Sequence, residues 1–294
     1  MLPATPTPLV RLGNHFPRLA VHAKCEFVAP SGCFKIRGAI HLLEHLMSHD
    51  GPRKLIVPSM GNTALGAATA AEAFGFTMTG VVPQTIAAAK DQKLRSLGVE
   101  LVKVAGGGSD LIRHATALAS ERGGHFVHPH LDTLWTDGYR SIASEILCEL
   151  PGCRSLVMPI GGGGLLLGLL AHLREHPAPV RLLGCEPYNY PKYARFDHAR
   201  SDTIADGLKL ENPHPSVQQA IADAGVAISL VSEDEIRAAM RDLFDFHGLV
   251  VEPSSAITLA FVKKRAVELE DPLCVILTGE NIARDQHRRL IGAD

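Results

Sequence analysis

The sequence predicts an α/β protein, with parallel sheets covered by helices, and three observations carry that prediction. Short apolar runs alternate with helical patterns along most of the chain. The connections between them are short, as parallel β–α units require. No repeat of fixed period and no low-complexity segment interrupts the alternation. The 294 residues are 46% hydrophobic, enough for a sizeable core in one large domain or two ordinary ones.

Taken in order, Lys54–Pro58 is a buried strand and Thr63–Phe74 an Ala-rich helix. Thr77–Val82 and Ile86–Leu97 repeat the pair, as do Val99–Val104 and Leu111–Arg122, and His125–His128 adds a further strand. A helix follows Gly138 and runs to about Leu150. Strand Leu156–Ile160 then leads to helix Leu165–Glu175, and Val180–Cys185 is the next strand. Helices near Glu233–Phe246 and Ser254–Glu268 precede a last strand, Leu273–Leu277.

Composition removes several classes of function. Charged residues make up 20% of the chain, the net charge is −2 and no Lys/Arg block stands out, so no nucleic-acid partner is expected. The start lacks a basic segment followed by an apolar one, so no secretory signal is expected. The longest apolar run, around Leu165–Ala171, is far too short to span a bilayer, so no membrane partner is expected. Six scattered cysteines without a CxxC pair point to a reducing, cytoplasmic setting. His125, His128 and His130 fall on a short extended segment broken by Pro129. They lack helical ligand spacing and carboxylate support, so no metal is expected there.

Two glycine clusters, Gly106–Gly108 and Gly161–Gly164, each follow a strand and open a helix. The second has a fully apolar strand before it and an apolar helix after it. Four residues without Cβ let backbone N–H groups converge on an anion at a helix N-terminus, although a close-packing turn reads equally well. Neither a Gly-Lys-Ser/Thr loop nor a GxGxxG fingerprint is present there. Lys35, between Phe34 and Ile36, is either a surface lysine packing its stem or a desolvated amine able to attack an aldehyde. Spacing alone leaves both open.

The segment Ser31-Gly-Cys-Phe-Lys-Ile-Arg-Gly-Ala39 closely resembles the lysine motif of fold-type II pyridoxal-phosphate enzymes. That group includes threonine and serine dehydratases, serine racemase, threonine synthase and cysteine synthase. The likeness continues in the same order through Thr7–Leu12, Ser59–Thr63, Gly161–Leu165, Thr203–Leu208, Val251–Ala256 and Leu277–Asn281. It implies two domains of open twisted parallel sheet with pyridoxal 5'-phosphate in the cleft between them. The large domain would be residues 1–46 and 133–294, the small mobile one 47–132. Lys35 would carry the cofactor as a Schiff base and remove the substrate α-proton, with Phe34 against the cofactor ring and Asn62 on its hydroxyl. Gly161, Gly162, Gly163, Gly164 and Leu165 would hold the phosphate and Thr278 the ring nitrogen. Ser59, Met60, Gly61, Asn62 and Thr63 would hold the substrate carboxylate. A homodimer is also implied.

Departures from the family pattern narrow the function. Met60 stands where serine racemases carry a second serine, and a thioether cannot donate a proton, which argues against racemisation. A Thr278 hydroxyl is a weak acid, so the ring is a weaker electron sink, suited to expelling a β-substituent. Thr63 and Asp137–Ile146 resemble the synthases, whereas Thr203–Leu208 and the lysine segment resemble the dehydratases. Glu186 matches one ligand of a divalent cation used by dehydratase-like members, but Lys192 takes the second position, so no metal is expected. Glu280 replaces a small residue and has no account at this level. Arg140 stands where dehydratases have Gly. It is either solvated or, with His130 and Tyr139, reads a carboxylate or phosphate on the substrate side chain.

The thirteen residues after Asn281 leave no place for a regulatory module, which suggests a catabolic or pathway-specific role. The expected reaction is β-elimination of water from a hydroxy-amino acid, giving a 2-oxo acid and ammonia. The alternative is β- or γ-replacement by a second nucleophile. A non-catalytic binder that kept the cofactor site is disfavoured by the intact Lys35, Asn62 and glycine loop.

Overall fold

The computed structural model describes residues 5–13, 16, 19–59, 61–86, 88–128, 130–210 and 212–293. They group into two compact units, one formed mainly by Ala29–Ser141 and the other by Pro6–Val28 with Ile142–Asp294. The first is wider at both ends than the 47–132 span expected from the sequence.

The first strands, β1 (Leu9–Arg11) antiparallel to β2 (Val21–Cys25), lie in the second of these units. Lys24 is fully buried in β2, where its Nζ meets Glu145 Oε2 at 2.7 Å and the Thr7 carbonyl at 2.5 Å. A charged residue in a buried strand hides the apolar pattern, which is why this strand is not evident in the sequence.

In the unit spanning Ala29–Ser141, helix α1 (Lys35–Ser48) buries Ile36, Ala39, Ile40, Leu43 and Leu46, an i, i+3, i+4 stripe. β3 (Lys54–Val57), α2 (Asn62–Phe74), β4 (Thr77–Pro83), α3 (Ala88–Ser96), β5 (Glu100–Val104), α4 (Gly108–Arg122) and β6 (His125–Phe126) follow. Their parallel sheet has the order β5-β4-β3-β6. Ile56, Val81, Val104, Leu111, Ala115 and Ala119 form a core under it. The second of the sequence's two glycine clusters is a phosphate-loop candidate, but the first is an ordinary cap: Asp110 accepts from the Gly107 N–H at 3.1 Å and starts α4 three residues early. The short helix α5 (Thr133–Asp137) packs on α1, as α2 does, and these contacts widen the unit. Gly138 and Tyr139 separate it from α6 (Arg140–Glu149), which is the helix expected after Gly138, whereas α5 was not expected.

The remaining elements belong to the second unit: β7 (Ser155–Pro159), α7 (Gly164–Glu175), β8 (Arg181–Pro187), α8 (Pro215–Asp223), β9 (Ala227–Val231), α9 (Glu233–His247), α10 (Pro253–Arg265), β10 (Leu273–Leu277) and α11 (Arg284–Ile291). The sheet order is β1-β2-β10-β7-β8-β9, parallel throughout except for β1. Every residue of α10 from Pro253 to Val262 is buried, so this helix is the centre of the core rather than its cover. Pro253 at its first turn and Lys263, Lys264 and Arg265 in its last agree with the helix dipole. Among the described residues no helix is long and apolar enough to cross a membrane.

Candidate active site

Lys35 is the first residue of α1, half-buried, and a tight turn presents it: Gly32 at φ 70° donates its N–H to the Ala29 carbonyl at 2.7 Å. Its Nζ stands 4.7 Å from the centre of the Phe34 ring and 5.6 Å from that of Tyr139. The two rings are tilted with centroids 4.8 Å apart. Tyr139 is fully buried, and the Trp135 Nε1–H donates to its hydroxyl oxygen. Burial pushes the Tyr139 phenol well above its ordinary range, so it stays neutral. The amine therefore faces aromatic surface on the α5–α6 side, a contact that sequence spacing did not anticipate.

The second helix start in this unit lies against the first. Cys33 Sγ approaches the Asn62 carbonyl at 3.6 Å, and the Gly66 Cα on α2 abuts the backbone of Lys35 and Ile36. Asn62 opens α2 after Gly61, whose N–H donates to Ser59 Oγ at 3.2 Å, and Thr63 is buried. Lys35, Phe34, Tyr139 and the Ser59–Thr63 loop thus share one neighbourhood at the N-termini of two helices, where backbone N–H groups favour an anion such as a carboxylate. Met60 lies outside the described residues.

Arg140 follows Tyr139, but its Nε pairs with Asp137 Oδ1 at 2.9 Å, offsetting part of its charge locally. His130 belongs to a histidine turn: its ring is 6.2 Å from that of His128, whose Nδ1 accepts from the His130 N–H at 3.3 Å. The carboxylate support that the sequence reading found lacking comes from Asp132, which meets His125 Nε2 at 2.9 Å and also caps α5. Among the described residues no group of three His, Cys, Asp or Glu is placed to hold a metal.

In the other unit, the fully buried strand β7 runs into Gly161–Gly164 and α7. Gly163 caps α7 at φ 88°, and a Cβ there would also come 2.3 Å from Val217 Cγ1, so only glycine fits. A Cβ at Gly161 would face the Gly207 carbonyl at 3.4 Å and Leu208 Cδ2 at 3.5 Å. The loop leads into the first turn of α7, with Gly161 and Gly162 half-buried and Gly163 and Gly164 buried. The N–H groups of a helix's first turn have no intrahelical partner and favour an anion. Thr278, buried, directly follows β10, and the Gly279 carbonyl after it accepts from the Glu252 N–H at 3.0 Å. The buried Ser254 Oγ has no partner among the described residues and lies beside Gly207. Glu280 is exposed.

The pair Glu186 and Lys192 is placed differently from a metal site. Both side chains are fully buried and their charges meet at 3.5 Å. Glu186 also accepts from the backbone N–H groups of Lys192, Tyr193 and Ala194 at 2.9–3.2 Å. Lys192 Nζ donates to the Leu208 carbonyl at 3.0 Å, and burial lowers its pKa against the opposing pull of Glu186.

These residues fit pyridoxal phosphate. One unit offers a primary amine on aromatic surface beside a helix-start loop. The other offers a glycine cradle that side chains would fill and a buried hydroxyl at a strand end. The sequence pattern of the family described as "Pyridoxal-phosphate dependent enzyme" matches residues 1–279. The chain is 31% identical over 272 residues to the L-threonine ammonia-lyase of Geobacter sulfurreducens, covering 90% of this chain and 68% of that one. It is 28% identical over 288 residues to the catabolic L-threonine dehydratase TdcB of Staphylococcus aureus, covering 93% and 83%. A solved threonine deaminase, from the organism abbreviated T.th., superposes with a TM-score of 0.84 at 29% identity, over 95% of this chain and 93% of that one.

Proposed function

The chain belongs to the family of pyridoxal-phosphate dependent enzymes, and on that premise we propose that it is an ammonia-lyase for a β-hydroxy amino acid of the threonine and serine type. The observation that carries this reading is the setting of Lys35, an amine held on the Phe34 and Tyr139 rings beside the Asn62 loop. In the net reaction the substrate loses water across Cα–Cβ and regains it on hydrolysis, so a hydroxy-amino acid becomes a 2-oxo acid and ammonia.

When bound, pyridoxal phosphate supplies the electron sink that lets the Cα–H bond break. Lys35 Nζ holds the cofactor and then receives the α-proton on its own face. Ser59, the Gly61–Thr63 backbone and Asn62 orient the substrate at the start of α2. Gly161 to Leu165 would hold the phosphate, and Thr278 would serve the ring nitrogen with a hydroxyl too weakly acidic to protonate it. That weak partner favours elimination over reactions that need a long-lived negative charge at Cα. The activities of the Geobacter and Staphylococcus relatives support elimination over replacement. The Asp137 partner of Arg140 supports an uncharged substrate side chain over an anionic one.

The reading includes a cytoplasmic homodimer. Six free thiols, five of them buried, suit a reducing compartment. The test is ammonia release by the holoenzyme from L-threonine and L-serine with no second substrate. A requirement for a thiol or other nucleophile before substrate is consumed would overturn elimination in favour of replacement.

A further inference from the structure

Lys192 is a fully buried lysine that the proposed reaction does not use. It sits between two points of the same unit. On one side is Glu186, near the end of β8, whose carboxylate gathers the backbone N–H groups of residues 192–194. On the other is the Leu208 carbonyl, 3.0 Å from Nζ, in the single turn Asp206–Leu208. That turn borders the glycine loop: Gly207 O, Leu208 Cδ2 and Leu208 Cα lie 3.4–3.9 Å from where a Gly161 Cβ would stand. The ammonium therefore ties the C-terminal end of β8 to the wall of the loop at its first residue.

A buried ion pair is weak evidence for stability, because desolvating both charges offsets their attraction. Its value lies in position: the Lys192 stem and the three backbone donors around Glu186 fix where the ammonium meets the Leu208 carbonyl, and Leu208 in turn limits where Gly161 can go. We propose that Lys192 is a positioning residue that holds the Asp206–Leu208 turn against Gly161 and so keeps the loop shaped for a phosphate group. This rests on the reading of Gly161–Leu165 as the phosphate site.

The experiment compares two probes, pyridoxal 5'-phosphate and pyridoxal, titrated into the apoprotein and followed by visible absorbance. The variant carries Lys192→Met with Glu186→Gln, so that neither partner is left as an uncompensated buried charge. The expected result is a Kd about tenfold higher for pyridoxal phosphate with the pyridoxal Kd within about twofold of wild type. Faster amide exchange at Gly161–Leu165 is expected, with β10 amides unchanged. Equal weakening of both probes, or of neither, would overturn the proposal. A wild-type protein that bound both probes equally would instead overturn the phosphate-site reading. If the double variant does not fold, Lys192→Gln alone, with a shorter neutral side chain, is read by the same ratio. Glu186→Gln, which keeps the lysine, is expected to retain the preference for the phosphorylated probe.

Discussion

Gly66 on α2 lies directly against the Lys35 backbone on α1: a Cβ at position 66 would stand 2.9 Å from both the Lys35 carbonyl carbon and the Ile36 nitrogen. The two helices can approach this closely only because α2 carries no side chain there. The approach sets Lys35 beside the Ser59–Thr63 loop.

Gly66→Ala is expected to push α2 away from α1, since backbone atoms cannot swing aside as a side-chain end can. Overpacking of this kind costs about 1–3 kcal/mol. A lower melting temperature should accompany a raised KM for the amino acid, because Asn62 begins the same helix. An unchanged KM with lowered stability would separate packing from substrate binding.

Lys35→Ala is expected to abolish ammonia release, with a loss of at least about 10²–10⁴-fold for the proton transfer alone. The visible absorption band of the cofactor-loaded protein should disappear while the far-ultraviolet circular dichroism stays as in wild type. Residual turnover near the wild-type rate would remove Lys35 from the chemistry.

Asp137→Ala removes the carboxylate that engages Arg140 Nε. The increased positive charge near the site is expected to favour an acidic side chain. The ratio of kcat/KM for 3-hydroxyaspartate over threonine should rise about tenfold, equivalent to about 1.4 kcal/mol. The double variant with Arg140→Ala should return the ratio to the wild-type value. No change in either variant would place Arg140 outside the reach of the substrate.

His287 on α11 is 2% exposed, its Nε2 has no partner among the described residues, and the Phe244 ring lies 5.8 Å away. Burial lowers its pKa below the ordinary histidine value, so the unfolded chain binds a proton more readily than the folded one. Stability from this group is therefore complete above the unfolded pKa and declines as pH falls from about 6.5 towards the lower folded value. His287→Phe should flatten the fall in melting temperature between about pH 7 and pH 5. An unaltered pH profile would exclude His287 as its source.

The segments whose chemistry constrains residue type were legible in the sequence. An amine between apolar neighbours and a run of glycines between an apolar strand and an apolar helix have few other uses, and the alternation of strands and helices follows from burial of one face at a time. Elements whose pattern is broken by buried charge were not legible. β2 carries Lys24 in its interior, and only the folded chain brings it Glu145 and the Thr7 carbonyl. Helix α5 was likewise invisible, because its five residues are too few to show a helical period and it depends on the Asp132 cap and on Trp135 reaching Tyr139.

By itself the sequence determined the α/β class, the family and which residue types could hold a cofactor, since these follow from local pattern and motif. Tertiary structure alone decided that the Lys35 amine faces Tyr139, that Arg140 is engaged by Asp137, and that Lys192 reaches Leu208 rather than water. Each of these depends on distances between segments far apart or differently turned along the chain. Such distances are set by how closely helices and strands pack, and that is a property of the whole core.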